Sequence, residues 1–312
     1  MRRSEFLKYL SSGALLLAVG RLPDEIMAAR KGRGLRFGVI TDAHYADREP
    51  SGTRHYRDSM LKMQEAIREF NRKELDFIIE LGDMKDTTTD SAAEPTLRFL
   101  DAIEREFKRF DGPSYHVLGN HDMDCITKEE FLAHTTNEGR TTGRSYYSFS
   151  ANGYRCIVLD ANFNLDGSPY ARGNFDWTKA MIPASQLEWL EQELAAHSKQ
   201  PTLIFVHQML DSFSTVSRNL CVDNADEVRA ILEHHKQVLA VIQGHHHPGH
   251  HSHRAGIHYL TLNGMIEKSA PEHNSYAIVE VMPDGDIVVE GFRDCPDREL
   301  KRKERNYIDY ML

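Results

Sequence analysis

Five apolar runs of this 312-residue chain end in side chains that can bind a metal ion. Residues 35–40 lead to Asp42 and His44, residues 77–81 to Asp83, and residues 115–118 to Asn120. Residues 203–206 lead to His207, and residues 239–242 to His245 and His247. Asp42 and His44 are two apart, as are His245 and His247, so on an extended chain each pair projects to one side. The set holds two aspartates, one asparagine and four histidines, with no thiolate. A mononuclear site needs three or four ligands. Seven, with one carboxylate free to bridge, suit two first-row divalent ions about 3.5–4 Å apart. Mixed imidazole and carboxylate ligation favours Mn, Fe, Zn or Co over Ca or Mg. Each fragment alone reads as a turn or a cap; all five, in order and at strand ends, read as a metal centre.

The elements that must position these residues are legible too. Apolar runs at 35–40, 77–81 and 115–118 alternate with helical spacing at Met60, Met63, Ile67 and Phe70, and at Leu97, Leu100, Ile103, Phe107 and Phe110. Strand, helix, strand, helix, strand is the pattern of a parallel α/β sheet, in which ligands sit beyond the carboxyl ends of the strands. Further strands are expected at 156–159, 203–206, 239–242, 258–262, 277–281 and 287–289, with helices at 185–196 and 225–235. The last strands follow one another with only turns between, so that part of the sheet is expected to be mixed or antiparallel. No internal repeat or long linker divides the chain. The reading is one catalytic domain over residues 33–295, with a charged, solvated tail over 296–312.

Composition excludes some functions. With 40% hydrophobic and 27% charged residues the chain is globular, and a formal charge of −9 is wrong for a nucleic-acid-binding surface. Cys125, Cys156, Cys221 and Cys295 are too scattered for a disulfide scaffold or a CxxC zinc module. Residues 1–30 read as an export segment: Arg2 and Arg3 precede an apolar stretch at 10–19 that is too short to span a bilayer. Arg2-Arg3-Ser4-Glu5-Phe6-Leu7-Lys8 is similar to a twin-arginine signal, so a periplasmic or extracellular location is expected; the alternative is a cytoplasmic protein with an amphipathic N-terminal helix. Removing residues 1–30 leaves the remainder at −11, with no means of stable membrane insertion.

Asp42-Ala43-His44, Gly82-Asp83-Met84-Lys85-Asp86, Gly119-Asn120-His121-Asp122, Val206-His207 and Gly244-His245-His246-His247 resemble the five motifs of the calcineurin-like metallophosphoesterases, over residues 35–264. Gln186-Leu187-Glu188-Trp189-Leu190 resembles a helix common in that superfamily. The resemblance implies an α/β sandwich of two mixed β-sheets flanked by helices. It implies that Asp42, His44 and His247 hold one metal, that Asn120, His207 and His245 hold the other, and that Asp83 bridges them. Two such cations activate a water for in-line attack on phosphorus and neutralise the charge that develops there. His121 is then not a ligand but a donor to the phosphoryl group or the leaving oxygen, with Asp86 orienting it; Asp122 is expected to cap the following helix.

A narrower likeness runs through Gly52-Thr53-Arg54, Tyr56-Arg57-Asp58-Ser59, Gly256-Ile257-His258, Thr261-Leu262-Asn263-Gly264 and Pro296-Asp297-Arg298, which are similar to the manganese-dependent ADP-ribose/CDP-alcohol diphosphatases. It implies a small nucleotide-linked diphosphate or diester as substrate and manganese as the favoured metal. The alternatives are a broad-specificity phosphomonoesterase and a non-catalytic metal-binding module. Arg54, Tyr56 and Arg57 are candidates to clamp a second phosphate or stack on a base, or else a surface cluster at a helix start. His246 is expected behind the ligands, His250, His251 and His253 on a solvated loop near the mouth, and Asp160-Ala161-Asn162 in structural support.

Overall fold

The computed structural model describes residues 34–138 and 144–302. The export segment and the end of the expected tail lie outside the described residues.

Strands β1 (Leu35–Ile40), β2 (Phe77–Glu80) and β3 (Ser114–His116) run parallel, as the apolar runs require. Helices α1 (Ser59–Phe70) and α2 (Ala93–Phe107) make the crossovers, and a capping box at Thr127 and Glu130 starts α3 (Lys128–His134). The chain continues through the hairpin β4 (Tyr147–Ala151) and β5 (Tyr154–Val158), then α4 (Ala184–Ala196), β6 (Thr202–Val206), α5 (Ala225–His234) and β7 (Val238–Gln243). It ends in β8 (Pro248–Arg254), β9 (Ile257–Asn263), β10 (Ser275–Val281), β11 (Ile287–Arg293) and β12 (Arg298–Leu300).

These strands form two six-stranded mixed sheets, in the orders β12-β11-β10-β1-β2-β3 and β4-β5-β6-β7-β9-β8. Strands β10, β11 and β12 pair antiparallel, as the short turns between the late runs imply. Strand alternation sends Leu35, Phe37 and Val39 inward, where Phe37 stacks on Phe77 at 4.8 Å and meets Phe205 of the other sheet edge-on at 5.6 Å. The opposite faces are closed by Ile67, Phe70, Leu100 and Ile103 over the first sheet, and by Leu190, Leu194, Val228 and Leu232 over the second. Strands β6 and β7 are buried at every position, which is why they read as unbroken apolar runs.

Two expectations change. His250, His251 and His253 are not on a loop: they lie on β8, an edge strand antiparallel to β9. The first residues of the expected tail are ordered in the sheet, because Leu300 has an apolar slot opposite Ile287 and is only 5% exposed. Among the described residues no helix is long and apolar enough to cross a membrane.

Candidate metal centre

The loops leaving β1, β2, β3, β6 and β7 converge at one end of the sandwich. Asp42, His44, Asp83 and His245 all take left-handed backbone conformations, with φ between 45° and 68°. The extended geometry expected for the Asp42/His44 and His245/His247 pairs is therefore absent; the chain curls, and curling brings the groups together. Such φ values are unfavourable for residues with a Cβ and persist only where neighbours fix them. Here they are fixed by hydrogen bonds from Asp42 N to Gly82 O (3.0 Å), His44 N to Asp83 O (2.8 Å) and Ile266 N to Asp42 O (2.9 Å). Gly119 and Gly244 make the approach possible. A Cβ on Gly119 would lie 2.2 Å from Asp83 N, and one on Gly244 2.1 Å from Thr41 Oγ1.

Two groups result, each able to hold an ion: Asp42, His44 and His247, and Asp83, His207 and His245. Asp42 Oδ1 lies 3.3 Å from His247 Nε2 and 3.7 Å from His44 Nε2. Asp83 Oδ2 lies 3.2 Å from His207 Nε2 and 3.5 Å from His44 Nε2, so this one oxygen joins the two groups. The chemistry of the set suits divalent cations. Asp42 Oδ1, Asn120 Oδ1, His207 Nε2 and His245 Nε2 are buried acceptors or ring nitrogens without a hydrogen-bond partner among the described residues. Buried polar atoms are left in that condition where another ligand is expected to satisfy them.

The electrostatics agree. Burial opposes a charge on His207, yet the carboxylates of Asp83 and Asp42 push its pKa up to about 10; His247 rises to about 9 against burial through Asp42 and Glu267. That field is what a cation at the same point would feel. His245, also buried and facing His207, is pushed down to about 3 and stays neutral, as a metal ligand must be.

The surrounding groups aim the ligands. His207 Nδ1 lies 2.8 Å from Leu81 O, which sets its tautomer and turns Nε2 to Asp83. His247 Nδ1 meets Glu267 Oε1 at 2.6 Å, a partner invisible in sequence because nothing marks a residue twenty positions downstream. Glu267 sits in a segment clamped from behind by Lys62, whose buried ammonium donates to Met265 O (2.8 Å), Glu267 O (2.8 Å) and Lys268 O (2.7 Å). Behind Asp83, Glu80 Oε1 accepts from Gly82 N at 2.8 Å, while its other oxygen lies 3.5 Å from His116. His116 in turn lies 3.0 Å from Glu104.

Asp122 does not cap a helix. Its carboxylate accepts from Asp83 N (2.9 Å), Met84 N (3.0 Å) and Gly119 N (2.8 Å), tying two motif loops together; α3 has its own cap. His121 is 23% exposed, edge-on to His44 at 4.8 Å and near Phe175 at 5.8 Å. Its Nδ1 is 3.9 Å from Asp86 and 3.7 Å from Asp124, so Asp86 shares the orienting position with a second carboxylate, three residues beyond His121. Asp86 also lies 3.5 Å from His44 Nδ1 and accepts from Arg48 Nη1 at 3.0 Å. Burial works against a charged His121, and Asp83, Asp124 and Asp86 overcome it, so its pKa is raised.

The expected substrate residues separate. Tyr56 is 4% exposed and packs with Ala46 and Ile266 under Arg48. Arg57 is on the surface, paired with Asp47 and Glu49. Arg54 is partly buried, bridged through its backbone to Glu267. His246 is partly exposed, its N–H turned back to Gly244 O at 2.8 Å. Asp160 and Asn162 brace the loops: Asp160 exchanges backbone bonds with Gln186, and Asn162 reaches Leu118 O at 2.7 Å and Gln208 at 2.6 Å.

Comparison with known proteins places this arrangement. The calcineurin-like phosphoesterase family matches residues 35–249. A manganese-dependent ADP-ribose/CDP-alcohol diphosphatase from Oryza sativa subsp. japonica is 31% identical over 305 residues, spanning 85% of this chain and 93% of the relative. A human protein of the same description is 25% identical, spanning 91% and 97%. A dimetal phosphatase from Danio rerio shares the fold with a TM-score of 0.74 at 23% identity, over 87% of this chain and all of that one. Yellow lupin purple acid phosphatase shares it at 0.57 and 14% identity, over 89% of this chain and 55% of that one. With more than half its length inside the family match, and a 31%-identical relative aligned nearly end to end, this chain belongs to the calcineurin-like phosphoesterases, metal-dependent hydrolases of phosphoric ester bonds.

Proposed function

We propose that the chain hydrolyses a nucleotide-linked diphosphate of the ADP-ribose or CDP-alcohol type, with two divalent ions, manganese favoured, at the centre described above. The observation that carries the dinuclear reading is Asp83 Oδ2, which faces both His44 and His207. Asp42, His44 and His247 would hold one ion and Asn120, His207 and His245 the other, with Asp83 placed to serve both. Bound there, two ions supply Lewis acidity and lower the pKa of water toward 7. The chain's own groups do the rest. His121, its cationic form favoured by Asp83, Asp124 and Asp86, donates to the phosphoryl oxygen or protonates the leaving oxygen. The relatives' descriptions support the substrate class.

Hydrolysis of ADP-ribose, bis-p-nitrophenyl phosphate and p-nitrophenyl phosphate, side by side with Mn, Zn or Mg, tests the reading. Preference for ADP-ribose by orders of magnitude is expected; preference for the monoester overturns it. The proposal extends to location: residues 1–30 act as a twin-arginine export signal ahead of the catalytic domain over residues 33–295. Replacing Arg2 and Arg3 by Lys is expected to abolish export; unchanged export would refute that route.

A further inference from the structure

We propose that Arg48 forms an anion subsite beside the metal centre, where it binds the phosphate not undergoing attack and so selects diphosphates over monoesters. The inference rests on the diphosphatase reading.

Arg48 lies in the loop after β1. Its Nη1 donates to Asp86 Oδ1 at 3.0 Å and to Thr87 O at 3.3 Å. Its Cζ sits 4.4 Å from the centre of the Tyr56 ring, and Tyr56 is wedged against Ala46 and Ile266. One face and one edge of the guanidinium are therefore fixed, whereas 26% of the side chain remains open. The described residues make no hydrogen bond to Nε or Nη2. A planar fork with one edge anchored and donors to spare is suited to a phosphate, because its orientation is set before the ligand arrives.

Position decides which phosphate. The second oxygen of Asp86 lies 3.5 Å from His44 Nδ1 and 3.9 Å from His121 Nδ1. A single carboxylate thus separates the guanidinium from both a candidate metal ligand and the candidate proton donor. The two phosphorus atoms of a diphosphate share one bridging oxygen, so a group attacked at the centre brings its neighbour to the loops around the centre, of which the Arg48 loop is one. A monoester has no second phosphate to offer. Of the arginines named from sequence, Arg57 is occupied by Asp47 and Glu49.

The test compares wild type, Arg48→Ala and Arg48→Lys as manganese-loaded full chains, with equal manganese content and Tm as controls. For Arg48→Ala, kcat/KM on ADP-ribose is expected to fall about 30-fold while that on bis-p-nitrophenyl phosphate stays within about threefold, and Arg48→Lys to fall between. Calorimetric titration with adenosine α,β-methylene diphosphate and with AMP reads binding without turnover: the diphosphate should weaken in Arg48→Ala and AMP should not. Equal losses on both substrates would make Arg48 a support for Asp86, and no loss on ADP-ribose would remove it from the site; either overturns the proposal. If wild type fails on ADP-ribose but the methylene diphosphate still requires Arg48, the subsite stands and the diphosphatase reading falls. If ADP-ribose is turned over and the methylene compound is indifferent to Arg48, only the subsite falls.

Discussion

His247 Nδ1 and Glu267 Oε1 lie 2.6 Å apart, on the opposite edge of the imidazole from the Nε2 that faces Asp42 at 3.3 Å. A carboxylate in that position fixes the ring's tautomer and raises its basicity toward a metal. Glu267→Ala is therefore expected to lower manganese affinity about 10–100-fold without unfolding the chain, measured by competition with a chelator. Unchanged affinity would mean that the ring is held by packing alone.

His121 separates chemistry from binding. His121→Ala is expected to cut turnover by about 10²–10⁴-fold with both ions retained, checked by kinetics beside metal analysis. If the ions were lost as well, His121 would have to be counted among the ligands.

The carboxylates around His121 set its working range. Its pKa is raised, so as a proton donor it governs the alkaline limb of the pH–rate profile. Asp124→Asn removes one of the charges that raise it, and that limb is expected to move to lower pH. An unmoved limb would assign the proton to another group.

The buried row Glu80, His116 and Glu104 ties stability to pH. Burial opposes a charge on His116, but Glu104 and Glu80 raise its pKa to about 9; burial raises Glu80 to about 8. Both folded values exceed the unfolded ones of about 6.5 and 4.3, so both groups hold protons that the unfolded chain releases. Stability should decline as pH rises from about 4.3 to about 9, read as a falling denaturant midpoint, and His116→Leu should flatten the part of that decline above about 6.5. A midpoint that rises over this interval would contradict the assignment.

Gly119→Ala tests the packing of the motif loops. The added Cβ meets the backbone of Asp83 at 2.2 Å, where no side-chain motion can relieve it. A loss of about 1–3 kcal/mol is expected, with metal stoichiometry below two. A variant that binds two ions with unchanged stability would show that these loops can move apart.

Much of this was legible in the sequence because parallel strands buried on both faces leave unbroken apolar runs, and a polar residue at the end of such a run stands out. That is how Asp42, His44, Asp83, Asn120, His207, His245 and His247 could be found together. Strand β8 was hidden because Pro248, Gly249 and five further polar positions of an edge strand carry no apolar alternation, and β12 because three residues are too few to show a period. The left-handed turns at Asp42 and His44 leave no compositional trace, since neither is glycine. Tyr56 misled because an aromatic near two arginines reads the same whether it faces a ligand or, as here, supports the guanidinium of Arg48. Glu267 and Lys62 act through separations that only the folded chain closes.

Lys62 places an ammonium among three inward-turned carbonyls of residues 265–268, an arrangement akin to a crown ether around a cation that cannot diffuse away. The wall carrying Glu267 is thus held by a charge that is part of the polypeptide. A chelator can strip the exchangeable ions from the front of the centre without touching the one behind. The emptied protein should accordingly keep this wall in shape and take metal back without refolding.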